Sequence, residues 1–523
     1  MVPEQKVNNN LIISLLVLAG TSLGLGAFSQ MVLAAGNFWP GALAASLLIF
    51  LVGAILLLTW RAAGSEKILG WMMLAAFVLR LGFGLFLAWG LPLFGYDEPT
   101  QEAGFVFDDA YRRERDAWAL AQSDQPLTAA FGDQFETDQY GGILAMSALV
   151  YRTLSPDAFR PFLIVILAAG AVALSIPFLF FALKKRFDRQ TVLWSGWILA
   201  LYPEGILLGS SQMREPFLIL FFSILFWAAA HWLDRSRLKF AVPFFLLGTG
   251  GLFLFSFRVA LPILAVVLIW VWVMESAKFT KVWMKLAGGA VMVASLLAAL
   301  VFFRDWAEAV MNWDTLQTVI RSGQIQFQLE AFPEWVQLPF IIIYGIFQPV
   351  LPAAIAAPAP WIWRSLAVFR ALGWYSLLPL LLYVPVRLVT HKDLRKKRWI
   401  LVMGIMVLAW IIIASARAGG DQWDNPRYRT IFLPWMAVVA GWGVTYAKKV
   451  EDRWLLRGLV VEGIFLAFFT QWYLSRYYTY FPRLEFWLMI LLILVLSLLV
   501  LVGGWWRDRK HRRDVLTDDG ESL

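Results

Sequence analysis

The sharpest chemical signal in the chain is Phe107-Asp108-Asp109-Ala110-Tyr111. Two adjacent carboxylates in an otherwise apolar protein can take up a proton as a general base, or together hold a divalent cation. A carboxylate close to a bilayer can also have a raised pKa, which suits a base. The same residues suit the start of a solvated helix, because Asp caps a helix N-terminus and its charge complements the helix dipole. A second constellation, Ser210-Ser211-Gln212-Met213-Arg214-Glu215-Pro216, puts an Arg between two apolar runs. Arg258 lies between two more, and Asp424-Asn425-Pro426-Arg427-Tyr428-Arg429 supplies a third cationic place. A guanidinium fork matches a phosphate or diphosphate in two-pronged geometry. Pairing with Glu215, Asp421 or Asp424, or snorkelling to headgroups, would account for each Arg on its own. Three such places opposite one acidic loop shift the balance towards a bound anion.

The elements that must position these residues are built for lipid. Of 523 residues, 60% are hydrophobic and only 15% charged, against about 25% charged in soluble domains. Apolar runs of the roughly 20 residues that a bilayer crossing needs recur from Leu11–Leu33 to Phe486–Val502. The first of them reads as a retained span rather than a removable signal peptide. The net charge of +9 is not a nucleic-acid footprint, because the basic residues collect in short bridges between apolar runs. Those bridges hold Arg61 and Lys67, Lys184 to Arg189, Arg235 to Lys239, Lys278 to Lys285, Arg387 to Arg398, Lys448 to Arg453, and Arg507 to Arg513. Placing all of them in the cytoplasm gives one alternation of spans, with both termini cytoplasmic.

That alternation puts spans near residues 11–34, 41–60, 68–94, 158–183, 190–209, 216–233, 240–257, 259–275, 282–303, 366–389, 399–416, 430–447, 455–474 and 484–506. The segment 339–356 is apolar but broken by Pro349 and Pro352, and is expected to be re-entrant or interfacial. The expected fold is therefore an all-α polytopic membrane protein of about 14 transmembrane helices with amphipathic loop helices. A single membrane domain would cover 1–506, with extracytoplasmic loops over 95–157 and 304–339 and a charged cytoplasmic tail over 507–523. In the first loop, Asp109–Ala121 reads as a helix with Asp108 as its N-cap, and Tyr140–Leu154 as a short surface helix. The second loop holds Trp306, Trp313 and Trp335 and reads as interfacial.

Cysteine is absent, so no disulfide, thiolate nucleophile or Cys-ligated metal is available. His231, His391 and His511 all flank basic bridges. No cofactor is certain; a divalent cation on Asp108 and Asp109 would be magnesium or manganese, since zinc and copper lack their usual ligands. Arg80 and Glu462 lie inside spans, where a charge is costly and faces a partner or a watery cavity. Most of the 28 Trp residues are interfacial anchors, although some could stack on sugar rings.

The order of these features resembles the GT-C superfamily of integral-membrane glycosyltransferases, in the dolichyl-phosphate-mannose-protein mannosyltransferase-like group. The resemblance covers roughly residues 68–441. A span with Arg80 leads into the acidic loop with Asp108-Asp109-Ala110-Tyr111, then Ala117 and Leu120. Lys184-Lys185-Arg186-Phe187, Tyr202-Pro203-Glu204, Ser211-Gln212-Met213-Arg214-Glu215 and Pro426-Arg427-Tyr428-Arg429 before Leu433-Pro434 follow in order. The resemblance implies a GT-C-like bundle in the plasma membrane of a prokaryote and a sugar donor on polyprenyl phosphate. The acceptor would be an extracytoplasmic glycan, lipid or protein, and nucleic acid is not a partner. Asp108 or Asp109 would be the catalytic base or metal ligand. Arg214, Arg258, Arg427 or Arg429 would hold the donor phosphate, with Tyr111, Gln212 and Glu215 beside it. Arg112, Arg113 and Arg115 are unusual for the family's loop helix, and the lack of a large soluble C-terminal domain sets the chain apart from the oligosaccharyltransferase branch. A lipid-linked-saccharide flippase and a non-catalytic membrane scaffold are the alternatives.

Overall fold

A computed structural model describes residues 3–132, 134–135, 141–290, 294, 333–390 and 398–521. All regular structure among them is helical. Among the described residues, eleven helices are long and apolar enough to cross a bilayer, or thirteen if each of two bent pairs makes one span. The chain is an integral membrane protein. The expected span at 282–303 and most of the expected second loop, with Trp306 and Trp313, fall outside the described residues, as does His391.

The first three helices are α1 (Pro3–Leu33), α2 (Phe38–Ala62) and α3 (Lys67–Phe94). After the first loop come α7 (Phe162–Leu183), α8 (Arg189–Leu201), α9 (Pro203–Gly209), α10 (Glu215–Leu233), α11 (Leu238–Phe255) and α12 (Phe257–Ser276). A helix α13 is described over residues 282–290. Beyond it lie α14 (Glu334–Ile346), α15 (Leu351–Ala356), α16 (Trp361–Thr390), α17 (Arg398–Ala418), α18 (Asp424–Thr430), α19 (Leu433–Lys449), α20 (Arg453–Tyr477) and α21 (Phe486–Glu521). The core is built on α7 and α10, whose apolar windows are 83% and 89% buried. Large apolar side chains on α1, α11 and α21, such as Leu16, Leu246 and Leu499, point outward, as expected where hydrocarbon is the solvent.

The first loop folds into α4 (Pro99–Glu102), α5 (Asp108–Gln122), a 3-10 turn over Leu127–Phe131 and α6 (Gly142–Leu154). α5 starts one residue earlier than expected, so Asp108 and Asp109 both occupy its first turn and Phe107 is the cap residue. Its buried face is Ala110, Arg113, Glu114, Ala117, Leu120 and Ala121, at helical spacing. Within that face Glu114 accepts hydrogen bonds from Ser147 (2.9 Å) and Tyr151 (2.5 Å), which clamps α5 to α6. At the other end Arg152 donates to the carbonyls of Leu120 (2.7 Å) and Gln125 (2.8 Å), closing the C-terminus of α5.

Two spans are broken. α8 and α9 meet at 49°, and α18 and α19 at 74°. Pro203 has no N–H to return to the carbonyl of Leu199, so the first break leaves backbone acceptors unmatched in an apolar interior. Arg80, fully buried, supplies the donors: it reaches the carbonyls of Leu199 (3.3 Å), Ala200 (2.8 Å) and Gly205 (3.1 Å). Gly209 leaves room for this side chain, since a Cβ there would lie 2.5 Å from its Cδ.

The segment 339–356 is broken at its prolines into two short helices. α14 and α15 are 13 and 6 residues long, too short to cross a bilayer. The carbonyls exposed between them are taken by buried donors: Asn425 on Gly345 (2.9 Å), Trp374 on Ile346 (2.7 Å), Tyr375 on Phe347 (3.2 Å) and Arg429 on Gln348 (2.6 Å).

The basic bridges gather at one end of the bundle. Glu66 faces Lys184 (3.6 Å) and Arg189 (3.4 Å), Arg186 pairs with Asp234, and Arg235 with Glu275 (3.6 Å). α3 runs from this end to the acidic loop, which therefore lies at the other.

Arg80→Met should lower stability by about 3 kcal/mol or more, because several buried carbonyls lose their donors at once. A melting temperature of the detergent-solubilised chain equal to wild type would show that the bend does not depend on this side chain.

Candidate functional site

A cavity of about 850 Å³ opens at the end of the bundle that carries the acidic loop. Its walls come from the start of α5, the turn before α10, the start of α12, the α14–α15 turn, the first turns of α16, the loop into α18 and the end of α20. Asp108, Asp109, Arg214, Arg258 and Arg427 all line it. Residues more than 300 positions apart in sequence are thus brought to one place.

Arg427 is the hub. Its guanidinium lies 3.0 Å from Asp109, 3.3 Å from Glu215 and 3.0 Å from Asp424, and only 8% of the side chain is exposed. Phe107 packs 5.6 Å from it. Glu215 is fully buried beneath the cavity. Asp109 is enclosed by neighbouring groups yet keeps 37% of its side chain open to the cavity. Burial works against its charge, but the fields of Arg427, Arg113 and Arg214 outweigh it and hold the carboxyl at about 2. The expectation of a raised pKa therefore fails for Asp109, because three guanidiniums surround it.

Asp108 sits differently. It is 65% exposed, pairs with Arg112 (3.0 Å) and accepts a hydrogen bond from Thr100 (2.9 Å). An exposed pair of this kind is weak.

The other expected residues are placed around the cavity rather than on it. Tyr111 packs edge-on against Phe105 at 5.4 Å and is not among the lining residues. Gln212 is buried, and its backbone carbonyl accepts from Arg113, which ties α5 to the turn before α10. Arg429 is fully buried beneath the α14–α15 turn, with its guanidinium 3.3 Å from the centre of the Trp374 ring.

Several lining residues escaped the reading of the sequence. Arg370, fully buried, forms a two-pronged pair with Glu204 (2.7 and 2.9 Å). Its guanidinium also stacks 4.0 Å from Trp423. Trp423 in turn meets Phe107 at 5.9 Å and Trp363 at 5.3 Å, so one indole joins α5, α16 and the loop into α18. The signal was there: Glu204 and Arg370 are opposite charges, each set in an apolar stretch. Arg364 and Arg417 line the same cavity, and Tyr344, Tyr473 and Tyr477 line the side where α14, α15 and α20 meet.

Eight arginines and five carboxylates line this space, an excess of positive charge. Asp108 and Asp109 each face a guanidinium, and no group of three or more metal-ligand side chains occurs among the described residues. Such a donor set suits an anion better than a divalent cation. Beside the charged floor, Val350, Ala353, Ala354 and Ala357 give an apolar wall. No family model, curated protein or solved structure matches the chain.

Because the carboxyl of Asp109 lies at about 2 in the folded chain against 3.8 for an unperturbed side chain, its charge stabilises the fold above about pH 4. That contribution fades as the pH falls towards 2. The difference in melting temperature between wild type and Asp109→Asn should therefore be constant from about pH 5 upward and shrink below about pH 4. A difference that stays flat down to pH 2 would mean that Asp109 is not held by these arginines.

Proposed function

We propose that the chain is a membrane glycosyltransferase that moves a sugar from a polyprenyl-phosphate-linked donor to an extracytoplasmic glycan, lipid or protein. The observation that carries this reading is the sharing of one cavity by Asp108, Asp109, Arg214, Arg258 and Arg427. A GT-C-like arrangement of about 14 spans accords with it.

The adjacent carboxylates take separate roles in this reading. Asp109, held near 2, is a weak base and serves to keep Arg427 in place. Asp108, exposed and only loosely paired, accepts the proton of the acceptor hydroxyl. Arg214 and Arg258 bind the donor phosphate with Arg427 behind them. The acceptor oxygen bonds to the sugar's anomeric carbon as the bond from that carbon to the phosphate oxygen breaks on the opposite face, so the product is inverted. The proton passes to Asp108, and the electron pair of the broken bond stays on the polyprenyl phosphate. Its growing negative charge is stabilised by the arginines, which stand ready without reorganisation. The wall of Val350, Ala353 and Ala357 receives the first isoprene units.

With a panel of polyprenyl-phosphate hexoses and pentoses in proteoliposomes, Asp108→Asn should lower the transfer rate by about a hundredfold or more. Arg214→Gln and Arg258→Gln should chiefly weaken donor binding. Unimpaired transfer by Asp108→Asn would remove the assignment. Movement of the saccharide between leaflets, with the acceptor's mass unchanged, would replace it with a flippase.

A further inference from the structure

We propose a second binding site at the basic end of the bundle, where an anionic phospholipid seats its phosphate between Arg186, Lys278 and Arg398. This site is independent of the function proposed above. A cavity of about 460 Å³ lies where the α7–α8 bridge, the ends of α10 and α12, and the start of α17 come together. Arg186, Lys278 and Arg398 line it, and Asp188 is the one acid among its lining residues. The Asp188 carboxylate is already engaged as the cap of α8, accepting from the backbone N–H of Thr191 at 2.8 Å.

The three cations differ in how firmly they are held. Arg186 is fixed: its guanidinium stacks 3.8 Å from the centre of the Trp399 ring, and it pairs with Asp234. A side chain ordered beforehand costs little further entropy when it takes up a ligand. Lys278 is exposed and, among the described residues, pairs with Glu275 three residues earlier on the chain, at 3.0 Å. Surface pairs of that kind are weak, so a doubly coordinated phosphate oxygen can compete for the ammonium. Arg398 is exposed at the start of α17.

The walls decide between a lipid and a free phosphate. Leu233, Met274, Ala277, Ile400, Trp399 and Trp442 make most of the lining apolar or aromatic. A soluble anion gains nothing from such walls, whereas a glycerol backbone and the first methylenes of its acyl chains bury against them. The cavity also lies among the basic bridges, and basic pockets between helices at the membrane surface suit anionic headgroups.

The test is a titration of the full chain in neutral detergent, following its melting temperature. Dioctanoyl phosphatidylglycerol should raise it saturably, while dioctanoyl phosphatidylcholine and glycerol 3-phosphate should not. Lys278→Gln and Arg398→Gln should each weaken the phosphatidylglycerol response about fivefold. Lys239→Gln with Lys281→Gln, two exposed lysines on neighbouring bridges outside the lining, should leave it unchanged. An equal loss in that control pair would reduce the effect to general surface charge and overturn the site. A matching response to glycerol 3-phosphate would overturn the lipid assignment in favour of a soluble organophosphate.

Discussion

Everything at the cavity end follows from one constraint: a helix broken inside an apolar bundle frees backbone groups that water cannot reach. Hydrocarbon offers them no partner, so each must be satisfied by the protein itself. This chain meets the requirement largely with arginine. Arg80 serves the α8–α9 break through three carbonyls, and Arg429 serves the α14–α15 turn through the carbonyl of Gln348. Arg370 pins Glu204, on the cavity-side half of the broken span, and reaches the carbonyl of Gln422 (3.2 Å). The planar guanidinium is suited to this, because its several fixed donors can serve diverging acceptors from one buried position.

The breaks are also what makes a cavity possible. A bundle of uninterrupted helices closes on itself by side-chain packing, and its polar residues are left at the ends. Here α9, α15 and α18 are short pieces that turn away from their partners, at 49° for α9 and 74° for α18. They bring Glu204, Val350 and Arg427 to the edge of one space below the acidic loop. The loop is anchored over it at separate points: Arg113 to the carbonyl of Gln212, Asp109 to Arg427, and Trp363 to Gln101 (2.6 Å). Each anchor involves a residue that an isolated loop would leave to water.

What was legible in the sequence was whatever depends on local pattern. Runs of apolar residues and basic bridges located the helices and separated the two ends of the bundle, because both signals are read within about twenty residues. The loop helix at Asp109–Ala121 was equally readable from its composition. The roles of Arg427 and Arg429 were not. Read as a loop before a span at 430–447, both appear able to face the same ligand. The stretch is in fact helical from Asp424, and positions two apart on a helix point to nearly opposite sides. Arg427 accordingly faces the cavity, and Arg429 faces Trp374 in the core. Arg80 was recognised as a charge in need of partners, but the partners are backbone carbonyls freed by Pro203, which no pattern of charged residues could reveal. Glu462 lies half-buried on α20, the same helix whose C-terminal end carries Tyr473 and Tyr477 to the cavity lining.

The aim of Arg427 is set from below as much as by its acidic partners. Trp270, Trp435, Phe432 and Trp410 form a column through the core, with successive rings 5.7, 5.9 and 4.3 Å apart. At its top Trp410 donates from its indole to the carbonyl of Tyr428 at 2.9 Å. At the lower end Trp270 meets Trp399 at 4.5 Å, the ring on which Arg186 stacks at the basic end. Rings of this size interlock at fixed angles and have few alternative packings. The backbone at Tyr428 is therefore held in place by the core, and Arg427, the residue before it, meets Asp109, Glu215 and Asp424. Three carboxylates alone would repel one another around an absent charge. Arg427, whose neighbour Tyr428 is tied to the aromatic column, supplies the charge that lets the three sit together.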